Sequence, residues 1–104
     1  MIYELRTYTL HPGKVAEAHA LYHAEGWPQL AKWQHNLIGY FVSDIGALNQ
    51  IVHLWKFANH DARDEQWAKL RANAAFAAFG AKLRPMLLTQ DNKILKSAPW
   101  GPQL

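Results

Sequence analysis

His53 and Trp55 are the residues whose types and spacing most suggest a binding site. They stand two positions apart in residues 51–57, a run rich in β-branched and aromatic residues that predicts a strand with both side chains on one face. Both faces are largely apolar, which is typical of a central strand covered on both sides. His53 therefore either satisfies a core hydrogen bond or lines a cavity, as a general base or an axial haem ligand. Burial lowers the pKa of such a histidine unless a carboxylate such as Glu4 lies close.

Glu4 and Arg6 form a second candidate group in the predicted first strand, where a spacing of two places them on one face. One interpretation is a mutually satisfied ion pair, within the chain or across a dimer interface. The other is an arginine that holds an anionic substrate or a developing oxyanion. His53 and Arg6 are thus the candidate catalytic residues. The candidate ligand-binding residues are Tyr40, Trp55, Glu4, Tyr8, Asn49 and Gln50.

The remaining polar residues give weaker signals. Asn49 and Gln50 precede the strand of His53 and either orient a ligand or bond the backbone of their own loop. His19 and His23 stand four apart on a predicted helix, a spacing that suits two metal ligands, but no third ligand is evident. We therefore expect solvated surface histidines, no metal site and no cofactor. No catalytic triad or phosphate-binding loop is present, so the sequence leaves open whether the protein is an enzyme.

The elements that position these residues follow from periodicity. Residues 2–9 alternate as a strand, and a helical stripe follows the break at residues 11–14 until Gly26 interrupts it. A short helix after Pro28 leads into a strand, a loop and a returning strand over residues 37–57. Gly46 in this loop suits a backbone with positive φ.

The second half predicts two helices and a last strand. Asn59 offers an N-cap, and a change of apolar face near Asn73 predicts a helix break with Asn73 capping the second helix. Residues 86–90 form the expected fourth strand, followed by a turn at 91–92, after which Ile94 and Leu95 can continue the strand. Residues 97–104 form an irregular tail, which we expect Trp100 to anchor by packing.

The order of strand, helix, strand, strand, helix, strand is the ferredoxin-like βαββαβ arrangement of an α+β protein. Its antiparallel four-stranded sheet carries helices on one face only. Because the other face is also apolar, we expect a second copy of the chain to cover it and form a homodimer through apposed sheets.

Composition narrows the remaining classes. With 104 residues, half of them hydrophobic, the chain is expected to form one domain with a core at about residues 2–96. The net charge is +3 with scattered lysines and arginines, so no nucleic-acid partner is expected. There is no cysteine, and no segment is typical of a signal peptide or a membrane span, which predicts a cytoplasmic location.

Several motifs along the chain resemble those of the NIPSNAP domain, a branch of the dimeric α/β-barrel superfamily. The motifs are residues 4–8 (ELRTY), 12–14 (PGK), 37–41 (LIGYF), 45–50 (IGALNQ), 52–55 (VHLW) and 83–85 (LRP). The resemblance covers the chain from Ile2 to about Trp100 and implies a ferredoxin-like fold that pairs into a homodimeric barrel. It implies little about chemistry, because the family is largely uncharacterised.

Two hypotheses for function follow. In the first, the protein binds or transforms a small organic ligand in a cavity near the strand of His53. In the second, it is a non-catalytic homodimeric association module whose polar residues only hold the dimer together.

Overall fold

The computed structural model describes residues 1–104 as a four-stranded antiparallel sheet with helices packed on one face. Short π and 3₁₀ segments connect the elements at Tyr22–Gly26, Ala31–Asn36 and Arg84–Met86. No helix has both the length and the apolar character needed to cross a lipid bilayer. The main elements are β1 (Ile2–Leu10), α1 (Val15–Leu21), α2 (Trp27–Leu30), β2 (Leu37–Val42), β3 (Gln50–Phe57), α3 (His60–Ala72), α4 (Ala74–Leu83) and β4 (Leu87–Leu95).

The strand order β2-β3-β1-β4 confirms the predicted ferredoxin-like α+β fold and makes β1 and β3 the central strands. Arg6 pairs with His53 across the β1–β3 ladder, and Tyr40 of β2 pairs with His53 from the other side. Three candidate residues thus stand in adjacent strands at one level of the sheet. Side chains alternate along each strand, so all three point to the face that carries the helices.

Asparagine caps separate the two long helices, as the sequence predicted. The Asn59 side chain accepts a hydrogen bond from the backbone N–H of Ala62 at the start of α3. The Asn73 side chain accepts one from the backbone N–H of Phe76 at the start of α4, and its own backbone is extended. The break lets α3 and α4 pack different apolar faces against the sheet.

Two expected boundaries are wrong. Residues 91–92 do not turn: β4 runs unbroken to Leu95, with Asp91 opposite Thr7 and Asn92 opposite Arg6 in the β1 ladder. Gly26 does not interrupt the first helical region, which continues through a π-helical turn into α2. A Cβ at Gly26 would lie 2.6 Å from the Phe79 ring, so this glycine permits close packing of α4 rather than a helix end.

The hairpin loop between β2 and β3 has the predicted left-handed glycine. Gly46 has φ = 102°, and Asn49 also has positive φ at 61°. Both residues suit these conformations, because glycine lacks a Cβ and asparagine tolerates the left-handed region better than most residues.

The face of the sheet away from the helices carries apolar residues on β1, β2 and β3 and is only partly covered, while Asp91 and Lys93 of β4 make its other side polar. Leu5, Val52 and Leu54 are half-buried there, while Phe41 and Leu95 are exposed. A fully polar outer face would need no further cover, whereas this one leaves a continuous apolar area on the central strands.

The C-terminal tail is held differently from our expectation. Trp100 is 88% exposed and does not anchor the tail within the chain. Instead the backbone carbonyl of Leu104 accepts a hydrogen bond of 2.6 Å from the Tyr3 hydroxyl, which ties the chain end to β1.

Trp55 supplies a direct test of this packing, because it is fully buried on β3 beneath the helices. We expect Trp55→Ala to lower the free energy of unfolding by about 3–5 kcal/mol, through lost burial and the cavity left behind. Trp55→Phe, which retains most of the apolar volume, should lower it by clearly less. Urea denaturation measures both, and a loss below about 1 kcal/mol for Trp55→Ala would contradict the central placement of this residue.

Candidate functional site

The carboxylate of Glu4 is fully buried and joins β1 to α3. Arg63 donates to both of its oxygens, at 2.9 and 3.0 Å, and the indole N–H of Trp67 donates at 2.8 Å. Arg6 donates to Glu4 at 3.1 Å. Four donors therefore satisfy the carboxylate within one chain, and this ion pair faces the helices rather than an interface between two sheets.

Arg6 is held in place by several contacts and in turn orients Tyr8. Its guanidinium lies 4.4 Å from the Trp67 ring centroid, and its Nε donates to the Tyr8 hydroxyl oxygen at 3.0 Å. The pair with Glu4, the aromatic face and the hydroxyl together fix a side chain that is otherwise long and flexible. Tyr8 is placed as a consequence.

Opposing effects act on the pKa of Glu4. Burial alone would raise it, but the hydrogen bonds from Arg63 and Trp67 and the charges of Arg6 and Arg63 outweigh burial and lower it. The carboxylate therefore stays ionised and keeps both arginines in place at neutral pH.

Three aromatic residues hold the His53 ring. Trp55 Nε1–H donates to His53 Nδ1 at 2.6 Å. The Tyr40 ring stacks on the imidazole with centroids 4.3 Å apart and planes 7° apart. The Tyr8 ring meets it edge-on at 5.0 Å. These contacts fix both the plane of the ring and its rotation.

His53 is 1% exposed, and burial, together with the nearby charge of Arg6, holds its pKa well below the usual value of 6.5. The predicted direction of the shift is confirmed. Glu4 does not reverse it, because that carboxylate is engaged by two arginines. The other ring nitrogen, Nε2, is buried and has no hydrogen-bond partner in the chain.

A cavity of about 370 Å³ lies between the helix-bearing face of the sheet and helices α3 and α4. Its apolar wall includes Phe76 and Phe79 of α4, and its polar wall includes His53, Arg6 and Tyr8 of the sheet. It reaches the exposed edge strand β4. The complete lining is Arg6, Tyr8, Tyr22, Leu30, Tyr40, His53, Arg63, Asp64, Trp67, Arg71, Phe76, Phe79, Gly80, Leu83, Arg84, Leu87, Gln90 and Asn92.

Four of the predicted site residues, Arg6, Tyr8, Tyr40 and His53, line this cavity together. Glu4 and Trp55 do not. Each is fully buried beside the cavity and orients a residue that lines it: Glu4 bonds to Arg6, and Trp55 bonds to His53.

Asn49 and Gln50 lie elsewhere, on a smaller cavity of about 220 Å³ beside α1. The Asn49 carbonyl accepts a bond from the Leu10 N–H, and the Gln50 side chain donates to Thr9. These two bonds join the end of the loop to β1. His19 also lines this cavity, and no group of three or more His, Cys, Asp or Glu side chains is arranged to hold a metal ion.

Sequence reasoning missed the helix residues of the cavity. Arg63 and Trp67 stand four apart in α3 and so share a face, a spacing that would have placed the arginine toward the sheet. Gln90 and Asn92 were missed because a turn was expected at residues 91–92. Gln90, Asn92 and Ile94 are spaced two apart in β4 and therefore share one face. Gln90 lies opposite Tyr8 in β1, and Asn92 lies opposite Arg6.

Fold and cavity define a ferredoxin-like α+β protein with a walled site on the helix side of its sheet. The NIPSNAP family model matches residues 3–102, and the chain belongs to this family. A crystal structure of a NIPSNAP family protein with unknown function from Agrobacterium tumefaciens has 36% sequence identity and a TM-score of 0.90, covering 100% of this chain and 94% of that chain.

Two further matches are weaker, either in the length that they cover or in sequence identity. A protein described as a NipSnap homolog from Dictyostelium discoideum is 37% identical over 62 residues, which are 60% of this chain but only 27% of that protein. An antibiotic biosynthesis monooxygenase has a TM-score of 0.67 at 12% identity, covering 95% of this chain and 100% of that chain. The latter similarity is one of fold alone.

The lowered pKa of His53 makes stability depend on pH in a defined window. The unfolded histidine takes up a proton near pH 6.5 while the folded one stays neutral, so the folded state loses stability as pH falls below 6.5. The slope should approach about 1.4 kcal/mol per pH unit. Glu4 adds a loss only below its unfolded value of 4.5, since its folded pKa is lowered.

Urea denaturation at intervals between pH 7.5 and 5 measures this dependence. His53→Gln removes the titrating group and should flatten the curve between pH 6.5 and 5. An unchanged slope in the variant would show that other groups cause the loss.

Proposed function

We propose that this protein binds or transforms a small organic ligand in the cavity between β3 and helices α3 and α4. The observation that carries the proposal is His53, a buried histidine on the cavity wall with one ring nitrogen unpartnered. A buried polar atom without a partner is costly, and a ligand that pairs with it removes this cost.

The shape and chemistry of the cavity support the same proposal. Its volume of about 370 Å³ falls in the range of sites for small molecules, and its lining combines apolar side chains with polar and charged ones. The polar groups are held in place before any ligand arrives, because the bonds of Glu4 to Arg6 and of Trp55 to His53 are already formed.

We further propose that two copies associate through their outer sheet faces. Leu5, Val52 and Leu54 form the centre of this face, and the exposed Phe41 extends it on β2. Pairing two such faces would remove apolar surface that one chain leaves in contact with water. From the sequence alone, we also propose that the protein works without a bound cofactor and that it is located in the cytoplasm.

The alternative is a homodimeric association module without a ligand. It would make the Glu4 network a purely structural group, because four hydrogen bonds satisfy this carboxylate inside one chain, on the helix side of the sheet and not between two copies. It does not account for the unpartnered nitrogen of His53.

A cavity-filling substitution separates the two functions. Gly80 of α4 lines the cavity, and a Cβ added there meets no atom within 4 Å. Gly80→Leu should therefore fill part of the cavity without disturbing the fold, since leucine also favours the helix. Ala78→Leu, at an exposed position of the same helix, is the matched control.

A thermal-shift screen with aromatic acids, quinones and haem would be run on all three proteins. We expect at least one compound to raise the melting temperature of the wild type and of Ala78→Leu but not that of Gly80→Leu. Equal stabilisation of all three would place the ligand outside this cavity. No stabilisation by any compound would favour the association module.

The dimer is tested by sedimentation equilibrium at low micromolar concentration, where we expect twice the chain mass of 11.9 kDa. Phe41→Glu places a charge on the outer face at a residue that is already 56% exposed in the single chain, so it should dissociate the dimer without unfolding the chain. Ala78→Glu, on the helix side, should remain dimeric. A monomeric wild type would contradict the proposed association.

A further inference from the structure

The bond between Trp55 and His53 determines which nitrogen of the imidazole carries the proton. An indole N–H can only donate, so His53 Nδ1, 2.6 Å from Trp55 Nε1, must present a lone pair. A neutral imidazole with a lone pair on Nδ1 carries its hydrogen on Nε2. The unpartnered Nε2 is therefore an N–H donor.

The same contact disfavours the other two forms of the ring. The imidazolium and the Nδ1–H tautomer would both set a hydrogen on Nδ1 against the indole hydrogen of Trp55. Burial and the charge of Arg6 also disfavour the imidazolium. His53 Nε2 thus has no free lone pair with which to accept a proton or bind a haem iron.

Tyr8 presents a second donor on the same wall. Its hydroxyl oxygen accepts the N–H of Arg6 at 3.0 Å, and arginine can only donate, so the hydroxyl hydrogen of Tyr8 stays available. No acceptor within the chain takes this hydrogen. The Tyr8 and His53 rings have centroids 5.0 Å apart and both line the cavity.

The charges around the cavity favour a negative group. Four arginines line it, against the carboxylates of Asp64 on the lining and Glu4 behind it. Glu4 pairs with two of the arginines and Asp64 with one, whereas Arg71 and Arg84 form no ion pair within the chain. A guanidinium that is free to pair is well suited to an organic acid.

We propose that the cavity takes an apolar organic acid or a related oxyanion, whose negative oxygen accepts hydrogen bonds from the Tyr8 hydroxyl and from His53 Nε2–H. Nε2 is covered in the chain without a ligand, so binding includes a shift of the side chain that covers it. In this proposal His53 is a fixed hydrogen-bond donor, in place of the general base or haem ligand that the sequence left open. The apolar part of the ligand packs against Phe76, Phe79 and Leu83. This inference rests on the proposed ligand-binding function and names its ligand class.

The first test is the protonation state of His53 in the whole protein. Histidine labelled with ¹⁵N gives long-range ¹H–¹⁵N correlations that distinguish the tautomers, and His53→Gln identifies the His53 signals by their loss. We expect a pyridine-like Nδ1 and a pyrrole-like Nε2 from pH 5.5 to 8. Trp55→Phe removes the indole N–H and should allow the other tautomer to appear. An Nδ1–H tautomer in the wild type, or titration near pH 6.5, would overturn the donor assignment.

The second test is the ligand class, with 2-naphthoate as the probe and 2-naphthylmethylamine as a cationic control of similar shape. We expect the acid to bind and to shift the His53 Nε2–H resonance, and the amine to do neither. His53→Leu and Tyr8→Phe should each weaken binding of the acid by roughly tenfold to a hundredfold, the effect of a hydrogen bond to a charged group. His53→Gln, which retains an N–H donor and an acceptor for Trp55, should restore most of the affinity.

Preferential binding of the amine, or binding of the acid without a shift at His53, would overturn the ligand class. If neither probe binds while a neutral compound stabilises the wild type and not Gly80→Leu, the ligand class fails and the proposed function stands. If no compound shows sensitivity to Gly80→Leu, the proposed function itself fails, whatever tautomer is found. Melting curves of His53→Leu and Tyr8→Phe verify that both variants fold.

Discussion

A buried carboxylate governs the arrangement of this protein. Glu4 lies in a central strand with no contact to water, where an isolated charge would be strongly unfavourable. It is tolerated because Arg63 and Trp67 of α3 and Arg6 of its own strand donate four hydrogen bonds to it. The helix is thereby held over the sheet at one position and one rotation, which apolar contacts alone specify less sharply.

The hydrogen bonds of Glu4 also determine, through a series of contacts, where the residues on the cavity wall lie. Arg6 is fixed by Glu4 and Trp67 and bonds to Tyr8, whose ring meets His53 edge-on. On the far side of His53, Trp55 and Tyr40 complete its surroundings. The side chains of Arg6, Tyr8 and His53, which face the cavity from the two central strands, are therefore held in fixed directions. A site built this way loses little conformational entropy when a ligand is ordered within it.

The sequence was sufficient for the architecture and for part of the site, since four of its eight candidate residues line the cavity. Alternation in β1 and β3, and the two asparagine caps, predicted the βαββαβ order because each is a local signal. It also placed Glu4 with Arg6, and His53 with Trp55, on one face of their respective strands. Gly26 was misassigned because a glycine that admits a neighbouring ring looks, in the sequence alone, the same as a helix end.

The other differences between the sequence predictions and the structure arise from tertiary contacts. Glu4 meets Arg63 and Trp67 across 59 and 63 residues, a distance that no local pattern encodes. The Trp55–His53 bond joins residues only two apart, yet its direction depends on rotamers that tertiary packing selects. The strand β4 was divided because Asp91 and Asn92 have low strand propensity, which pairing with β1 overrides.

The extended backbone at Asn73 has an effect on the cavity that neither helix would have by itself. Before this residue, α3 contributes Arg63, Trp67 and Arg71 to the wall; after it, α4 contributes Phe76 and Phe79. One cap residue therefore separates the part of the helix wall that carries arginines from the part that carries phenylalanines. An amphiphilic ligand of the proposed class would be favoured in one orientation along this wall, and that orientation would depend on the point where one helix ends and the next begins.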